Sequence, residues 1–473
     1  GRLHRADGLI EGAANIRQLG VLQLACSGRQ AHAVRYHRRL DVILWTLTLA
    51  HAMPLQRAAE QLLDDDGATR TLVVWDEDGR VLVDVQGAVR VTPASTAKLV
   101  TAVLAMDRHG PEHRFATTLA AGGTVRGGVL RGPLVVQGGG DPSLGDAGFS
   151  GGRTAEKVLQ DWVGAVQGAG IERIEGDVVV DAASWAEPGL GAGWMWDDTP
   201  YGFSAAFGPL NLGHNRAAAG CGKVGRNATD PACCAARQVH RALERAGVAV
   251  SGEPRVAGLG PALPHAPTCG VTPTPEGPLR ELASTPSPPL LDLVGHMLVH
   301  SDNLYAEVLA RSLTADGRFA GAWAEGVERL EDMGVAPGDI VLADGSGLSR
   351  YSLVTARGLV TVLDWAAEQP WGDELLATLP VAGRRGTLAK RLAGTDMVDR
   401  VRGKTGSMRG VRNLVGEVSD ADGRILRFAT TATGFVHPQS EARAEEDRVL
   451  RLLGISRRGR VARRQVAEVV EGG

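Results

Sequence analysis

β-branched and other apolar residues fill positions 71–75 and all but Asp84 of 81–85, which predicts two strands, and Asp76-Glu77-Asp78-Gly79 between them reads as a hairpin turn. Past Pro93 the pattern changes. Leu99, Val103, Leu104 and Met106 fall at helical spacing and predict a helix that runs to Gly110. Ser95 then sits at or near the helix N-terminus, and Lys98, three residues on, projects from the same face.

From about residue 115 to 278 the texture is different: Gly-rich turns such as Gly138-Gly139-Gly140-Asp141-Pro142 alternate with short β-like runs at 134–136 and 177–181. Pro273, Pro275 and Pro278 punctuate the exit from this stretch. Residues 290–312 read as helices, with Ser301-Asp302-Asn303 near a helix start. Residues 398–404, 412–418 and 425–432 predict three antiparallel strands, with a hairpin turn at 419–423 between the last two, and 441–453 a closing helix. No internal repeat is evident. The expected organisation is a leader at 1–52, a main domain assembled from 53–115 and 280–457, an inserted domain at 116–279, and a tail at 458–473.

With 473 residues the chain has room for two or three domains and a large core. A net charge of −3 gives no reason to expect nucleic acid or a polybasic membrane anchor. No apolar run reaches the roughly 18 to 20 residues of a membrane span, which leaves peripheral membrane association open. Arg38-Arg39 precede a mostly apolar run at 40–50, and Ala50-His51-Ala52 offers an A-x-A cleavage pattern, so the segment resembles an export signal, although Asp41 interrupts it. Cys26 lies in that leader, while Cys221, Cys233, Cys234 and Cys269 cluster in one segment. Neither paired C-x-x-C units nor histidines at ligand spacing accompany them, so no metal site is expected. One or two disulfides suit an exported chain, small buried thiols suit any chain, and the pairing is not legible.

Three short motifs carry the chemistry: Ser95-Thr96-Ala97-Lys98, Ser301-Asp302-Asn303 and Lys404-Thr405-Gly406. They are S-x-x-K, S-x-N and K-T-G elements, in the order used by penicillin-interacting serine acyl-transferases. Singly, each has a bland explanation. Ser95 could cap a helix, Ser301-Asp302-Asn303 another, and Lys404 could end a solvated strand. Jointly, with 206 positions from Ser95 to Ser301 and 103 from Ser301 to Lys404, the ordered set is hard to reach by accident.

A serine hydroxyl is a weak nucleophile until a base takes its proton. Lys98 can do so only as a neutral amine, a form favoured by burial, by the nearby Lys404 cation and by the positive end of the helix dipole. Ser301 can relay a proton to the leaving amine, and Asn303 can hold Lys98 or substrate. Lys404 suits a terminal carboxylate, Thr405 adds a hydroxyl, and Gly406 leaves room for substrate along the strand. The N–H groups of Ser95 and Ser407 are the natural oxyanion donors. Two other patterns are set aside. Gly220-Cys221-Gly222-Lys223-Val224-Gly225 fits G-x-G-x-x-G without a βαβ frame, and Gly148-Phe149-Ser150-Gly151-Gly152 fits G-x-S-x-G without a buried strand.

Between the motifs, the chain resembles the low-molecular-mass class C penicillin-binding proteins, the D-alanyl-D-alanine carboxypeptidases/endopeptidases. The matching pieces are Gly139-Gly140-Asp141-Pro142-Ser143-Leu144, Gly193-Trp194-Met195-Trp196-Asp197-Asp198, Asp344-Gly345-Ser346-Gly347-Leu348-Ser349-Arg350, Leu379-Pro380-Val381-Ala382-Gly383 and Lys404-Thr405-Gly406-Ser407-Met408. The resemblance implies an α+β fold of the penicillin-binding serine transpeptidase/β-lactamase type: an antiparallel sheet flanked by helices, a helical subdomain, and a β-rich insertion between the first two motifs. It also implies a periplasmic or extracytoplasmic enzyme that needs no cofactor, cuts D-Ala-D-Ala ends or cross-links of peptidoglycan stem peptides, and is acylated by β-lactams. Trp196, Asp198, Leu348, Arg350 and Met408 become substrate-pocket candidates, with Asp198 suited to an ammonium and Arg350 to a carboxylate.

Some positions depart from the family pattern. The insertion is shorter than expected, Arg385 stands where an acidic residue is usual, Ser407 replaces the commoner Thr, and the clustered cysteines are not a family feature. The rival readings are a serine β-lactamase, disfavoured by the long gap between the first two motifs, and a catalytically idle peptidoglycan-binding protein of the same fold, disfavoured by the intact proton-transfer set.

Overall fold

The computed structural model describes residues 52–63, 67–185, 189–258 and 269–471, so the export-signal reading of the first 51 residues lies outside the described chain. Helix α1 (Leu55–Leu62) leads to strands β1 (Thr69–Asp76) and β2 (Val81–Val85). The hairpin between them is fixed by Asp76, whose Oδ1 accepts from the N–H groups of Asp78 at 3.2 Å and Arg80 at 2.9 Å. A single 3₁₀ turn, Ala94–Thr96, opens helix α2 (Ala97–His109), which ends at Gly110.

After the insertion come α3 (Leu290–His300) and α4 (Asn303–Arg311). They are separated by Ser301, in the left-handed region at φ 59°, and by Asp302, whose carboxylate caps α4 by accepting from Tyr305 N–H. Helix α5 (Ala356–Ala367) precedes strands β3 (Val401–Met408), β4 (Val411–Ser419) and β5 (Ile425–Thr433), and α6 (Gln439–Ile455) follows them.

The five strands form one antiparallel sheet in the order β3-β4-β5-β1-β2, so the first hairpin of the chain joins the last three strands. The period of two along each strand feeds two cores. Val73, Val415 and Ala429 face α2, α3 and α5, whereas Leu72, Val74, Leu414, Val418 and Phe428 face α1 and α6. β3 is one of the two edge strands. Its first half is covered, since Gly403 N–H donates to Pro380 O at 3.0 Å and Val401 O accepts from Ala382 N–H at 2.9 Å. Strand alternation turns the N–H groups of Thr405 and Ser407 in the same outward direction, beyond that cover.

The insertion has its own core. Strands Gly270–Thr272, Pro254–Ala257, Val178–Asp181 and Leu134–Gln137 run parallel, Ala116–Ala121 pairs antiparallel to Leu134–Gln137, and Arg280–Pro286 pairs antiparallel to Ala116–Ala121 to complete the six-stranded sheet. Helices Ala155–Gly168 and Pro231–Arg245 cover it, the latter capped by Asp230, which accepts from Cys233 N–H. Trp162 is buried between helix and sheet, its Nε1 donating to Thr285 Oγ1 at 2.9 Å.

Several expectations need correction. Residues 280–286 belong to the insertion's sheet, because their backbone pairs with Ala116–Ala121, so the return to the main domain comes after Pro286 rather than at 280. The cysteines, for which one or two disulfides are expected without a legible pairing, form Cys221–Cys234 and Cys233–Cys269, which tie the Gly220–Gly225 loop and Cys269 to one helix. The expected tail also has structure: Arg460–Ala462 is a strand and α7 (Arg463–Glu471) a helix, with Val461 and Val466 buried in the core shared by α1 and α6. Val466→Asp places an unpaired carboxylate in that core and is expected to destabilise the fold by about 2–4 kcal/mol. Denaturant unfolding checks this against Gln465→Asp, an exposed neighbour expected to shift stability by less than about 0.5 kcal/mol.

Candidate active site

The turn carrying Ser95 is wedged between two other segments. Ala94 adopts φ 46°, a left-handed conformation rare for a residue with a side chain. Pro93 O, on its other side, accepts from Thr96 Oγ1 at 2.7 Å and from Asn413 Nδ2 of β4 at 2.8 Å. A Cβ on Gly406 would lie 2.6 Å from Pro93 O, and one on Gly347 would lie 1.9 Å from Ala94 O. Gly406 therefore lets β3 close onto the nucleophile turn, rather than leaving a space for substrate as its motif suggests.

Three of the motif residues meet at one amine. Lys98 is fully buried and its Nζ lies 3.0 Å from Ser95 Oγ, 2.6 Å from Asn303 Oδ1 and 2.7 Å from Ser346 O. Burial lowers its pKa to about 8, against the pull of the Asp344, Glu307 and Asp302 carboxylates toward the ammonium form. Burial, the first of the three causes expected from the sequence, is thus the main agent, and the Lys404 cation is not among the leading ones. Lys404 is also fully buried and donates to Ser301 Oγ at 2.8 Å and Thr405 O at 2.9 Å. Its pKa is held well below that of an ordinary lysine by burial, with Lys98 and Arg412 adding to the effect. Asn303 Nδ2 donates to Phe203 O of the insertion at 2.7 Å.

Two carboxylates that the motif search did not assign hold this arrangement. Asp344 accepts from Ser346 Oγ at 3.0 Å, Gly347 N–H at 3.1 Å, Ser349 N–H at 2.8 Å, Ser352 Oγ at 3.1 Å and Trp194 Nε1 at 2.9 Å. Glu307, one helical turn beyond Asn303, accepts from Ser346 N–H at 2.8 Å and pairs with Arg311 at 2.9 Å. Together they aim Ser346 O at Lys98. Asp344 lay within a recognised segment. Glu307 has only its i,i+4 spacing from Asn303 and to Arg311 as a signal.

The remaining candidates lie around this centre. Thr405 Oγ1 is 2.8 Å from Thr387 Oγ1, and Ser407 Oγ accepts from Arg412 Nη1 at 2.7 Å while its N–H faces the open strand edge. Trp194 ties the turn Trp196–Asp198 to the 344–352 loop that carries Leu348 and Arg350. Trp196 is 77% exposed and Arg350 exposed, whereas Asp198, Leu348 and Met408 are half-buried. Burial and the neighbouring Asp197 push the Asp198 carboxyl up, against the Arg350 charge. Arg385, the departure noted in the Gly-Arg-x-Gly-Thr stretch, donates to Leu379 O at 2.8 Å and anchors the turn before Thr387. Among the described residues no cluster of His, Cys, Asp or Glu is arranged to hold a metal ion, and no helix is long and apolar enough to cross a membrane.

Comparison with known proteins gives one family. The profile of the D-Ala-D-Ala carboxypeptidase 3 (S13) family matches residues 55–223 and 217–456. The D-alanyl-D-alanine carboxypeptidase of Actinomadura sp. (strain R39) is 29% identical over 469 residues, 82% of each chain. Carboxypeptidase DacB of Mycolicibacterium smegmatis is 32% identical over 391 residues, 78% of each chain. Among solved structures, penicillin binding protein 4 (dacB) from Haemophilus influenzae superposes with a TM-score of 0.67 at 26% identity, covering 84% of this chain and 98% of that one.

Trp194→Phe removes one of the five donors to the buried Asp344 carboxylate. The expected cost is about 1–3 kcal/mol in denaturant unfolding.

Proposed function

The chain belongs to the D-Ala-D-Ala carboxypeptidase 3 (S13) family, and from that premise we propose that it is a serine-type D-Ala-D-Ala carboxypeptidase/endopeptidase acting on peptidoglycan stem peptides. The observation that carries this reading is the buried amine of Lys98, in hydrogen-bond reach of both Ser95 Oγ and Asn303 Oδ1.

In the proposed reaction, neutral Lys98 takes the Ser95 proton as Oγ attacks the carbonyl carbon of the penultimate D-alanine. The oxyanion forms between the N–H groups of Ser95 and Ser407, where the outward edge of β3 presents a donor without side-chain obstruction. Collapse expels the amine of the terminal residue, which takes its proton from Lys98 by way of Ser301. An incoming water, deprotonated by the same route, then releases the acyl group and regenerates Ser95. Lys404, buried against Ser301 and Thr405 O, fixes that relay and supplies positive potential for the substrate carboxylate, with Thr405 lending its hydroxyl. Gly406 serves the closure of the site.

Trp196, Asp198, Leu348, Arg350 and Met408 are proposed to line the pocket for the stem-peptide side chain, Asp198 facing an ammonium and Arg350 a carboxylate. The scheme requires no cofactor. A peptidoglycan substrate and two disulfides support an exported enzyme on the cell-wall side of the membrane. β-Lactams are proposed to acylate Ser95, since the strained amide offers the same carbonyl while its amine stays tethered.

Incubation with a fluorescent penicillin is expected to label the full chain at one site, and Ser95→Ala to abolish the label. The acylation rate should rise with pH through about 8, because the base is the deprotonated amine. Slow release of the penicilloyl group separates this reading from a β-lactamase, and loss of terminal D-alanine from muropeptides, followed by mass spectrometry, separates it from an idle binding protein. A folded wild type that takes no label sinks the assignment.

A further inference from the structure

One group of buried polar side chains has no part in the acyl-transfer scheme. His214, on the insertion's Leu212–Asn215 turn, places Nε2 2.8 Å from Asp302 Oδ2. Asp302 stands between two residues that touch the lysines: Ser301 accepts from Lys404, and Asn303 accepts from Lys98. Its Oδ1 is occupied by Tyr305 N–H at 3.2 Å. His296, on α3, has Nε2 4.0 Å from both Asp302 Oδ2 and Asp146 Oδ2. Tyr305 OH donates to Asp146 Oδ2 at 2.8 Å, and the His296 ring stacks 4.4 Å from Tyr305 and lies 4.5 Å from His300. The His214 backbone is itself left-handed, at φ 56°, so its imidazole is presented to Asp302 from a conformation that costs energy.

The charges at Lys98 make this contact consequential. Three buried carboxylates favour its ammonium form, and two have their own counterweights: Glu307 pairs with Arg311, and Asp344 is met by five neutral donors. The third is Asp302. We propose that His214 is a positioning residue of the acylation site, holding the Asp302 carboxylate at the back of the Ser301–Asn303 turn and offsetting its charge at Lys98.

Electrostatics within the cluster run the same way. Burial alone lowers the His214 pKa, but the Asp302 hydrogen bond and charge, with Asp146 and against Arg216, carry it above the ordinary imidazole value. Burial pushes Asp302 up, but His214, the Tyr305 N–H and His296 bring its carboxyl below the ordinary value. The second imidazole does not substitute for the first: burial, with His300 and His214, lowers His296 in spite of Asp302 and Asp146. The pair therefore holds its charged form to higher pH than an isolated imidazole would, and the shield fades as pH rises past the raised His214 value. The insertion thereby reaches the electrostatics of the nucleophile from behind.

The inference rests on Lys98 acting as the base, and the test separates the two. The second-order rate constant for acylation by penicillin is measured against pH for the full chain and for His214→Gln, Asp302→Asn and the double variant. Gln keeps a donor toward Asp302 without titrating, and Asn retains the helix cap. The ascending limb is expected to move up by roughly 0.5 to 1 pH unit in His214→Gln and down by a similar amount in Asp302→Asn. The double variant should return toward the wild type. A purely structural role lowers the plateau and leaves the limb in place; that result overturns the inference while the acyl-enzyme reading stands. If His214→Gln does not fold, an unmoved limb in Asp302→Asn has the same force. A folded wild type that is not acylated at all overturns both.

Discussion

The organising constraint of this molecule is a lysine amine with no access to water. A buried ammonium is costly without compensation, and three nearby carboxylates would supply it, so the site sets desolvation against attraction and leaves the Lys98 pKa at about 8, below that of an ordinary lysine. Each acceptor around Nζ is neutral: a serine hydroxyl, an asparagine carbonyl and the backbone carbonyl of Ser346. The carboxylates stand one layer back and do their work by holding those acceptors. Moving any one of them forward into contact would lock the proton on Lys98 and leave Ser95 without a base.

That arrangement explains why the insertion is part of the site. Trp194 satisfies Asp344, Phe203 O receives the Asn303 amide, His214 meets Asp302, and Asp146 takes the Tyr305 hydroxyl. All four come from the chain between the first two motifs and end on residues that support Lys98 or its partners. The main domain's sheet and helices bring Ser95, Lys98, Ser301, Asn303 and Lys404 together, and the insertion fixes their rotamers from the other side.

What was legible in the sequence followed from local rules. The Asp76–Gly79 turn, the helix after Ser95, the capped start at Asn303 and the three closing strands each rest on contacts within a few residues, and each was read to within a few positions. The two helices of the insertion are hard to read although Thr154 and Asp230-Pro231 are good start signals, because the Gly- and Ala-rich surroundings dilute the apolar period. The side of the boundary on which strand Arg280–Pro286 falls is not legible locally, because its partner lies more than 150 residues earlier, at Ala116–Ala121. The motifs named the groups that touch Lys98, yet Ser346 O, Glu307 and the acceptor role of Phe203 O are set by tertiary packing, and no spacing rule points to a backbone carbonyl. The cysteine pairing was equally out of reach, since four candidates allow three pairings.

The account depends on Lys98 losing its proton within the range where the enzyme would work. Nuclear magnetic resonance of the full chain with 13C-labelled lysine side chains measures this directly, the Lys98 signal being assigned by its absence from Lys98→Met. A titration midpoint near pH 8 is the predicted result. A Lys98 amine that stays protonated to about pH 10, as an ordinary lysine does, would contradict the account.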